Sequence, residues 1–115
     1  YIDTAPEHGG KNMGMKPKAL MMAALAGCTA MDVVSILKKM REQVEEFHVE
    51  VEGDLAEEHP KKYLGMKIIY RVKGKELSRK NVEKAVGLSS ERYCGVSANY
   101  RESFPVEHEI ILEDS

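Results

Sequence analysis

We predict one long helix in the stretch Pro17-Lys-Ala-Leu-Met-Met-Ala-Ala-Leu-Ala-Gly-Cys-Thr-Ala-Met-Asp-Val-Val-Ser-Ile-Leu-Lys-Lys-Met40. Proline is favourable in the first turn of a helix, and cations near the last turn complement the helix dipole. We therefore expect the helix to begin at Pro17 and to end near Arg41 or Glu42. Its most apolar part, residues 19–31, is too short to cross a bilayer and is typical of a buried core helix.

The predicted helix has two apolar sides when its residues are placed at 100° intervals. One side carries small residues that would let it approach a sheet closely: Ala19, Ala23, Ala26, Ala30, Val33, Val34 and Leu37. The opposite side holds a thiol between apolar and polar neighbours: Met21, Ala24, Leu25, Cys28, Met31, Asp32, Ser35 and Lys39. The rest of the chain is too short to cover both sides, so we expect a homodimer. Met21, Leu25 and Met31 are candidates to line an apolar pocket beside Cys28.

The rest of the chain predicts strands on both sides of a second helix. Residues 47–52 alternate apolar and polar side chains, as a half-buried strand does. Residues 63–73 alternate in the same way and carry opposite charges, which favours antiparallel pairing of the two strands. The elements that follow are a helix over residues 78–88 with Ser78 as its N-cap, a connection over 95–103 and a strand over 105–113.

These elements make an α+β fold class in which the long helix and the second helix pack on an antiparallel sheet. At this length we expect one domain over residues 1–115. The chain starts at Tyr1 and not at Met, which leaves open a preceding N-terminal segment.

The composition is that of a soluble globular protein, with 43% hydrophobic and 31% charged residues. The net charge of −2 comes from interspersed signs without a basic stripe, which argues against a nucleic-acid partner. We also expect no membrane partner. Two cysteines are too few for a disulfide scaffold, and this favours a reducing, cytoplasmic location.

The two cysteines, Cys28 and Cys94, lie 66 positions apart. A buried cysteine usually behaves as a small hydrophobe, whereas a thiol with polar neighbours can be reactive. We do not expect a metal site built on histidine, because no metal-ligand spacing links the 4 histidines to either cysteine.

The chain carries three motifs: Pro17-Lys-Ala-Leu20, Ala23-Ala-Leu-Ala-Gly-Cys-Thr-Ala-Met-Asp-Val-Val34 and Tyr93-Cys-Gly-Val-Ser97. Together they resemble the OsmC/Ohr family of osmotically inducible and organic hydroperoxide resistance proteins, and its OsmC-like branch in particular. The resemblance implies an intertwined homodimer and a thiol peroxidase that reduces organic hydroperoxides. Cys28 would be the peroxidatic thiol and Cys94 the resolving thiol, with a lipoyl-type dithiol as external reductant. It implies no metal and no bound cofactor.

Three charged residues are candidates to modulate the Cys28 thiol. Asp32 lies one helical turn after Cys28, where an ionised carboxylate disfavours a thiolate by like charge. It could instead orient a cation, for which Arg92 and Arg101 are the candidates.

Two alternatives to a peroxidase stay open on the same fold. One is a non-catalytic binding module for an apolar small molecule such as an acyl chain. It is suggested by the apolar helix side, and by the lack of any arginine before Arg41 that would stabilise a Cys28 thiolate. The other alternative is a thiol redox sensor.

Overall fold

Helix α1, Pro17–Lys39, is the longest helix of the computed structural model, which describes residues 6–11 and 13–114. Pro17 occupies the first turn as predicted, where its missing N–H costs no hydrogen bond. The helix ends earlier than predicted, with Met40 as its C-cap. Arg41 has a φ of 61°, in the left-handed region, and this conformation turns the chain away from the helix axis.

Strands β1, Gln43–Leu55, and β2, Tyr63–Lys75, pair antiparallel, as predicted. Each strand is 13 residues long and exceeds the prediction, because its polar ends continue the ladder of backbone hydrogen bonds. The predicted pairing of opposite charges is confirmed on the outer face of the sheet. There the Arg71 Nε donates a hydrogen bond of 3.0 Å to the Glu50 carboxylate.

Helix α2, Arg79–Leu88, follows β2 and begins as predicted. The hydroxyl of Ser78 accepts a hydrogen bond from the backbone N–H of Asn81, which confirms Ser78 as the N-cap. The apolar stripe of this helix is buried: Val82, Ala85 and Val86.

After α2 the chain forms a π-helical turn, Ser89–Tyr93, and then helix α3, Gly95–Arg101. The prediction of a plain connection over residues 95–103 was therefore wrong. A helix of 7 residues is too short to show an apolar period in the sequence. Its N-cap is Cys94, and a cysteine sulfur is not among the usual capping signals.

Strand β3, Val106–Asp114, completes a sheet of order β1-β2-β3 and runs parallel to β2. The prediction of a purely antiparallel sheet was therefore wrong, and the described sheet is mixed. The reason is the crossover between β2 and β3, in which the helical segments return the chain to the end where β2 begins. The α+β class itself is confirmed.

One row of α1 side chains is buried, each at most 1% exposed: Leu25, Thr29, Val33 and Leu37. The row belongs to the same core as inner residues of β2 and α2: Met66, Ile68, Tyr70, Val72, Val82, Ala85 and Val86. The prediction that the alanine-rich side faces the sheet was wrong in part, because Ala23 and Val34 are exposed. Large side chains fill the space between a helix and a sheet, where alanines would leave cavities.

Helix α1 has the length and the apolar composition that would allow it to cross a membrane. The prediction that the segment is too short to cross a bilayer was therefore wrong for the whole helix, because residues 19–31 are only its most apolar part. Core helices of soluble proteins meet the same criteria, and the buried row of α1 fits a core helix.

The substitution Leu37→Ala should lower the free energy of unfolding by about 2–5 kcal/mol, because it removes a buried side chain and leaves a cavity. Urea unfolding measures this change. Ser35→Ala, at an exposed position of the same helix, is the control and should shift the value by less than about 0.5 kcal/mol. Equal effects of the two substitutions would contradict the packing described here.

Candidate active site

Three reactive side chains meet beside the inner side of α1: Cys28, Asp32 and Cys94. The two sulfur atoms and a carboxylate oxygen all lie within 4.8 Å of one another. Cys28 and Asp32 are one turn apart on α1, and Cys94 arrives from the end of the π-helical turn. The structure therefore places together two cysteines that are 66 positions apart in the sequence.

The π-helical turn determines where Cys94 lies. The backbone N–H of Cys94 donates a hydrogen bond of 2.8 Å to the Ser89 carbonyl, five residues back, which widens the turn. The Cys94 side chain is 2% exposed, and its sulfur accepts a hydrogen bond of 3.3 Å from the Ser97 backbone N–H. Cys28 is half-buried, so of the two thiols it is the one that a molecule in solution can reach more readily.

A chain of buried hydroxyl groups runs from the sheet to Asp32. The Ser89 hydroxyl donates to the Asp32 carboxylate at 3.0 Å, and so it accepts from Thr29 at 3.0 Å. Thr29 donates its single hydroxyl proton to Ser89. It therefore accepts a hydrogen bond of 2.5 Å from the Tyr70 hydroxyl. Every hydroxyl in the chain has a partner, and Asp32 is held on the side of α1 that carries Cys28.

Burial is the main influence on the ionisation of the Cys94 thiol. Burial and, second to it, the hydrogen bond with the Cys28 thiol raise the pKa of Cys94 to about 11. The backbone N–H of Ser97 acts in the opposite direction on the pKa. Burial likewise raises the pKa of Tyr70 to about 12. At neutral pH both groups keep their protons, so the Cys94 thiol can donate a hydrogen bond to the Cys28 sulfur.

A cavity of about 650 Å³ lies towards the N-terminal end of α1. Its wall is mostly apolar and aromatic: Met21, Tyr63, Leu64, Tyr100, Phe104 and Pro105. Three lysines also line it: Lys18, Lys61 and Lys62. The Tyr100 hydroxyl donates a hydrogen bond of 3.0 Å to the Met21 carbonyl. Burial and, secondly, the Cys94 thiol raise the pKa of Tyr100.

The predicted pocket residues Met21, Leu25 and Met31 do not line one pocket in the single chain. Met21 lines the cavity, Leu25 is fully buried in the core, and Met31 is 77% exposed. The sequence grouped them on one half of a helical projection. In the structure only Leu25 of that half belongs to the buried row of α1, and Met31 lies on the exposed side of the helix.

The two arginines proposed as modulators are both exposed. Arg101 donates a hydrogen bond of 2.6 Å from Nη2 to the Ser90 carbonyl, so it supports the π-helical turn. Arg92 lies within that turn. Among the described residues, the hydrogen bond to the Asp32 carboxylate comes from the Ser89 hydroxyl and not from a guanidinium.

Sequence reasoning missed the hydroxyl chain and the aromatic wall of the cavity. Ser89 lies just after the helix predicted over residues 78–88, and Tyr70 lies within the strand predicted over residues 63–73. One signal was available, because Thr29 is a polar residue next to Cys28 in an apolar helix and needs a partner when buried. The aromatic residues of the cavity come from separate elements, which no sequence spacing connects.

Comparison with known proteins supports the resemblance of the motifs. The family model for OsmC-like proteins matches residues 9–109. Protein YhfA from Escherichia coli is 34% identical over 92 residues, which cover 80% of this chain and 69% of YhfA.

Two crystal structures extend the comparison to three dimensions. A hypothetical protein from Aquifex aeolicus has a TM-score of 0.84 and 31% identity, over 90% of this chain and 78% of that protein. The organic hydroperoxide resistance protein OsmC from Legionella pneumophila has a TM-score of 0.71 and 19% identity. That alignment covers 95% of this chain and 78% of the Legionella protein, and it shows likeness of fold.

The raised pKa of Cys94 predicts that stability falls in alkaline solution. Its pKa is 9.0 without the protein environment and about 11 in the folded chain, so between these values the folded state holds the extra proton. The contribution is fully present below pH 9 and is lost as the pH rises towards 11, by at most about 1.4 kcal/mol per pH unit. Urea unfolding between pH 7 and 11 measures it.

The control for this prediction is Cys94→Ala, in which the thiol contribution is gone and the loss of stability above pH 9 should be smaller. Tyr70 titrates in both proteins, and burial contributes more to its raised pKa than Cys94 does, so the difference between the two profiles reports mainly the thiol. Parallel profiles would show that Cys94 has the same pKa in the folded and unfolded chain.

Proposed function

The chain belongs to the OsmC-like protein family, and we propose that it is a thiol-dependent peroxidase that reduces organic hydroperoxides. The observation that carries the proposal is the pair of sulfurs of Cys28 and Cys94, which lie within 4.8 Å of each other. A disulfide bond is about 2.05 Å long, so a small movement of side chains would join them. A protein of the same fold from Legionella pneumophila is named for organic hydroperoxide resistance.

The different environments of the two thiols support different roles. Cys28 is the more exposed thiol and meets the hydroperoxide first. Its thiolate attacks the outer oxygen, the O–O bond breaks, and the organic alkoxide leaves as an alcohol after taking up a proton. Cys28 is then a sulfenic acid, and the sulfur has been oxidised while the peroxide has been reduced.

The buried Cys94 resolves the sulfenic acid. Its sulfur attacks the sulfur of Cys28, the S–O bond breaks, and the hydroxyl group leaves as water with the proton of the Cys94 thiol. The Asp32 carboxylate lies within 4.8 Å of both sulfurs, and this proximity supports a role for it in passing the proton. The Ser89 hydroxyl holds the carboxylate there.

The resulting disulfide must be reduced before another turnover. A dithiol donates two electrons and two protons by thiol–disulfide exchange, and becomes a disulfide itself. The family resemblance points to a lipoyl-type dithiol as this external reductant, which a cytoplasmic location would supply. The overall reaction converts one hydroperoxide and one dithiol into an alcohol, water and a disulfide.

The cavity next to Tyr100 is the site proposed for the organic part of the substrate. Its apolar and aromatic wall favours a hydrocarbon group, and Tyr100 links it to the surroundings of Cys94. The same wall would bind an acyl chain in the alternative of a non-catalytic binding module.

We further infer that a second copy of the chain covers the exposed side of α1. The radius of gyration is 16.0 Å, whereas a compact domain of this length has about 13 Å. Met31 is 77% exposed and Val34 46% exposed on that side, next to the small residues Ala23 and Gly27. Large apolar side chains at this exposure fit an interface between copies.

The substitution Cys28→Ser should reduce hydroperoxide consumption with dihydrolipoamide to the uncatalysed rate, because it removes the attacking sulfur. Cys94→Ser should keep the first step but stop recycling, so that a sulfenic acid accumulates at Cys28 and is trapped by dimedone. The measurements are steady-state consumption of cumene hydroperoxide and mass spectrometry of the trapped protein. Glu83→Gln, at an exposed position of α2, is the control and should keep the wild-type rate.

Absence of turnover in the wild type with any organic hydroperoxide would contradict the peroxidase proposal. A co-purified acyl chain in native mass spectra would then favour the binding module. A stable Cys28–Cys94 disulfide without turnover would favour the redox sensor.

The substitution Met31→Lys should convert a dimer into monomers, because it places a charge in the apolar interface proposed on α1. Sedimentation equilibrium should give twice the mass of one chain for the wild type and the mass of one chain for the variant. Leu55→Lys changes a residue of β1 that is 43% exposed, and it should leave the dimer intact. A monomeric wild type would contradict the inferred dimer.

A further inference from the structure

The cluster of Cys28, Asp32 and Cys94 combines the donor types that zinc prefers. Two thiolates and a carboxylate are common zinc ligands, and three protein ligands with one open position are typical of reactive zinc sites. We propose that the reduced chain binds one zinc ion at this cluster. No sequence pattern predicts this site, because Cys94 is distant from Cys28 along the chain and the histidines show no ligand spacing.

The distances in the cluster fit this proposal. Around a tetrahedral zinc ion, two sulfur ligands lie about 3.8 Å apart, and a sulfur and an oxygen about 3.6 Å apart. The three donor atoms here lie within 4.8 Å of one another, so the ligands need to close by about 1 Å at most. Side-chain rotations provide this movement without a change of the helix axis.

Neighbouring groups already orient the ligands, as they do in established metal sites. The Ser89 hydroxyl donates to one oxygen of Asp32, Oδ2, which leaves the other oxygen for the metal. The same hydroxyl is fixed by buried Thr29, and the Cys94 sulfur is held by the Ser97 backbone N–H. Asp32 and Cys94 are therefore already held by hydrogen bonds before a metal ion binds.

Access to the cluster comes from the side of α1 that carries Cys28 and Asp32. Both of these residues are half-buried, while Cys94 is 2% exposed. A zinc ion can therefore enter from solvent, and a water molecule can occupy its fourth position.

Zinc binding and disulfide formation exclude each other, because they need the same two sulfurs. An organic hydroperoxide would oxidise the two bound thiolates to a disulfide, take up two protons, and release the zinc ion, an alcohol and water. Zinc binding itself does not depend on the proposed peroxidase function, since it requires the reduced thiols only.

The test is a titration of reduced, metal-free protein with zinc chloride, without oxygen and in competition with a chromophoric chelator. We expect one zinc ion per chain. Asp32→Asn should lower the affinity at least about tenfold, because it replaces a charged ligand with a neutral amide. Glu83→Gln changes an exposed carboxylate paired with Arg79, and it should leave the affinity unchanged. Alkylation of the thiols with iodoacetamide should abolish binding.

Cobalt chloride provides a second readout that does not depend on the folding of a variant. Cobalt bound to the wild-type cluster should give an intense sulfur-to-cobalt charge-transfer band in the near ultraviolet. Absence of this band, or wild-type zinc affinity in Asp32→Asn and in alkylated protein, would overturn the proposal. No hydroperoxide is present in either titration, so these outcomes are separate from a failure of the peroxidase proposal.

Discussion

The structure depends on the need of the buried Thr29 hydroxyl for hydrogen-bond partners. A buried hydroxyl without a partner costs about 1–3 kcal/mol, and Thr29 is 1% exposed within an otherwise apolar row. It meets Tyr70 of β2 at 2.5 Å and Ser89 of the π-helical turn at 3.0 Å. These two bonds connect the long helix, the central strand and the turn. They also fix the distance between Cys28, which precedes Thr29, and Cys94, which ends the turn.

This constraint links packing with chemistry. The hydroxyl chain ends on Asp32, so one network positions both the helix and the carboxylate beside the thiols. Burial keeps Cys94 protonated, while Cys28 is partly exposed to solvent. A buried thiol with a raised pKa stays protonated and reacts slowly with a peroxide, which fits the resolving role proposed for Cys94. The same donor set provides the zinc site proposed for the reduced chain.

Local sequence patterns predicted the elements whose signals are periodic. The apolar run after Pro17 predicted α1, alternation predicted β1 and β2, and Ser78 predicted the start of α2. The same patterns did not predict how β3 lies in the sheet or that α3 is helical. The parallel position of β3 depends on the crossover, and α3 is too short for a periodic signal.

The candidate site was predictable only through its cysteines. Motifs singled out Cys28 and Cys94, but their approach within 4.8 Å depends on a π-helical turn, for which the sequence has no established signal. A projection of α1 alone predicts the pocket residues, and it cannot show the side chains that β2 and α3 contribute to the cavity. Tyr63 and Tyr100 provide much of its wall from those elements.

The chemistry proposed for Cys28 and Cys94 is tested by the fate of the two sulfurs after one equivalent of cumene hydroperoxide is added to the reduced protein. Peptide mapping by mass spectrometry without a reductant identifies the product. We expect one cross-linked pair of peptides that contains Cys28 and Cys94, with the loss of both free thiols. Two intact thiols, or a Cys28 sulfinic acid beside a free Cys94, would contradict it.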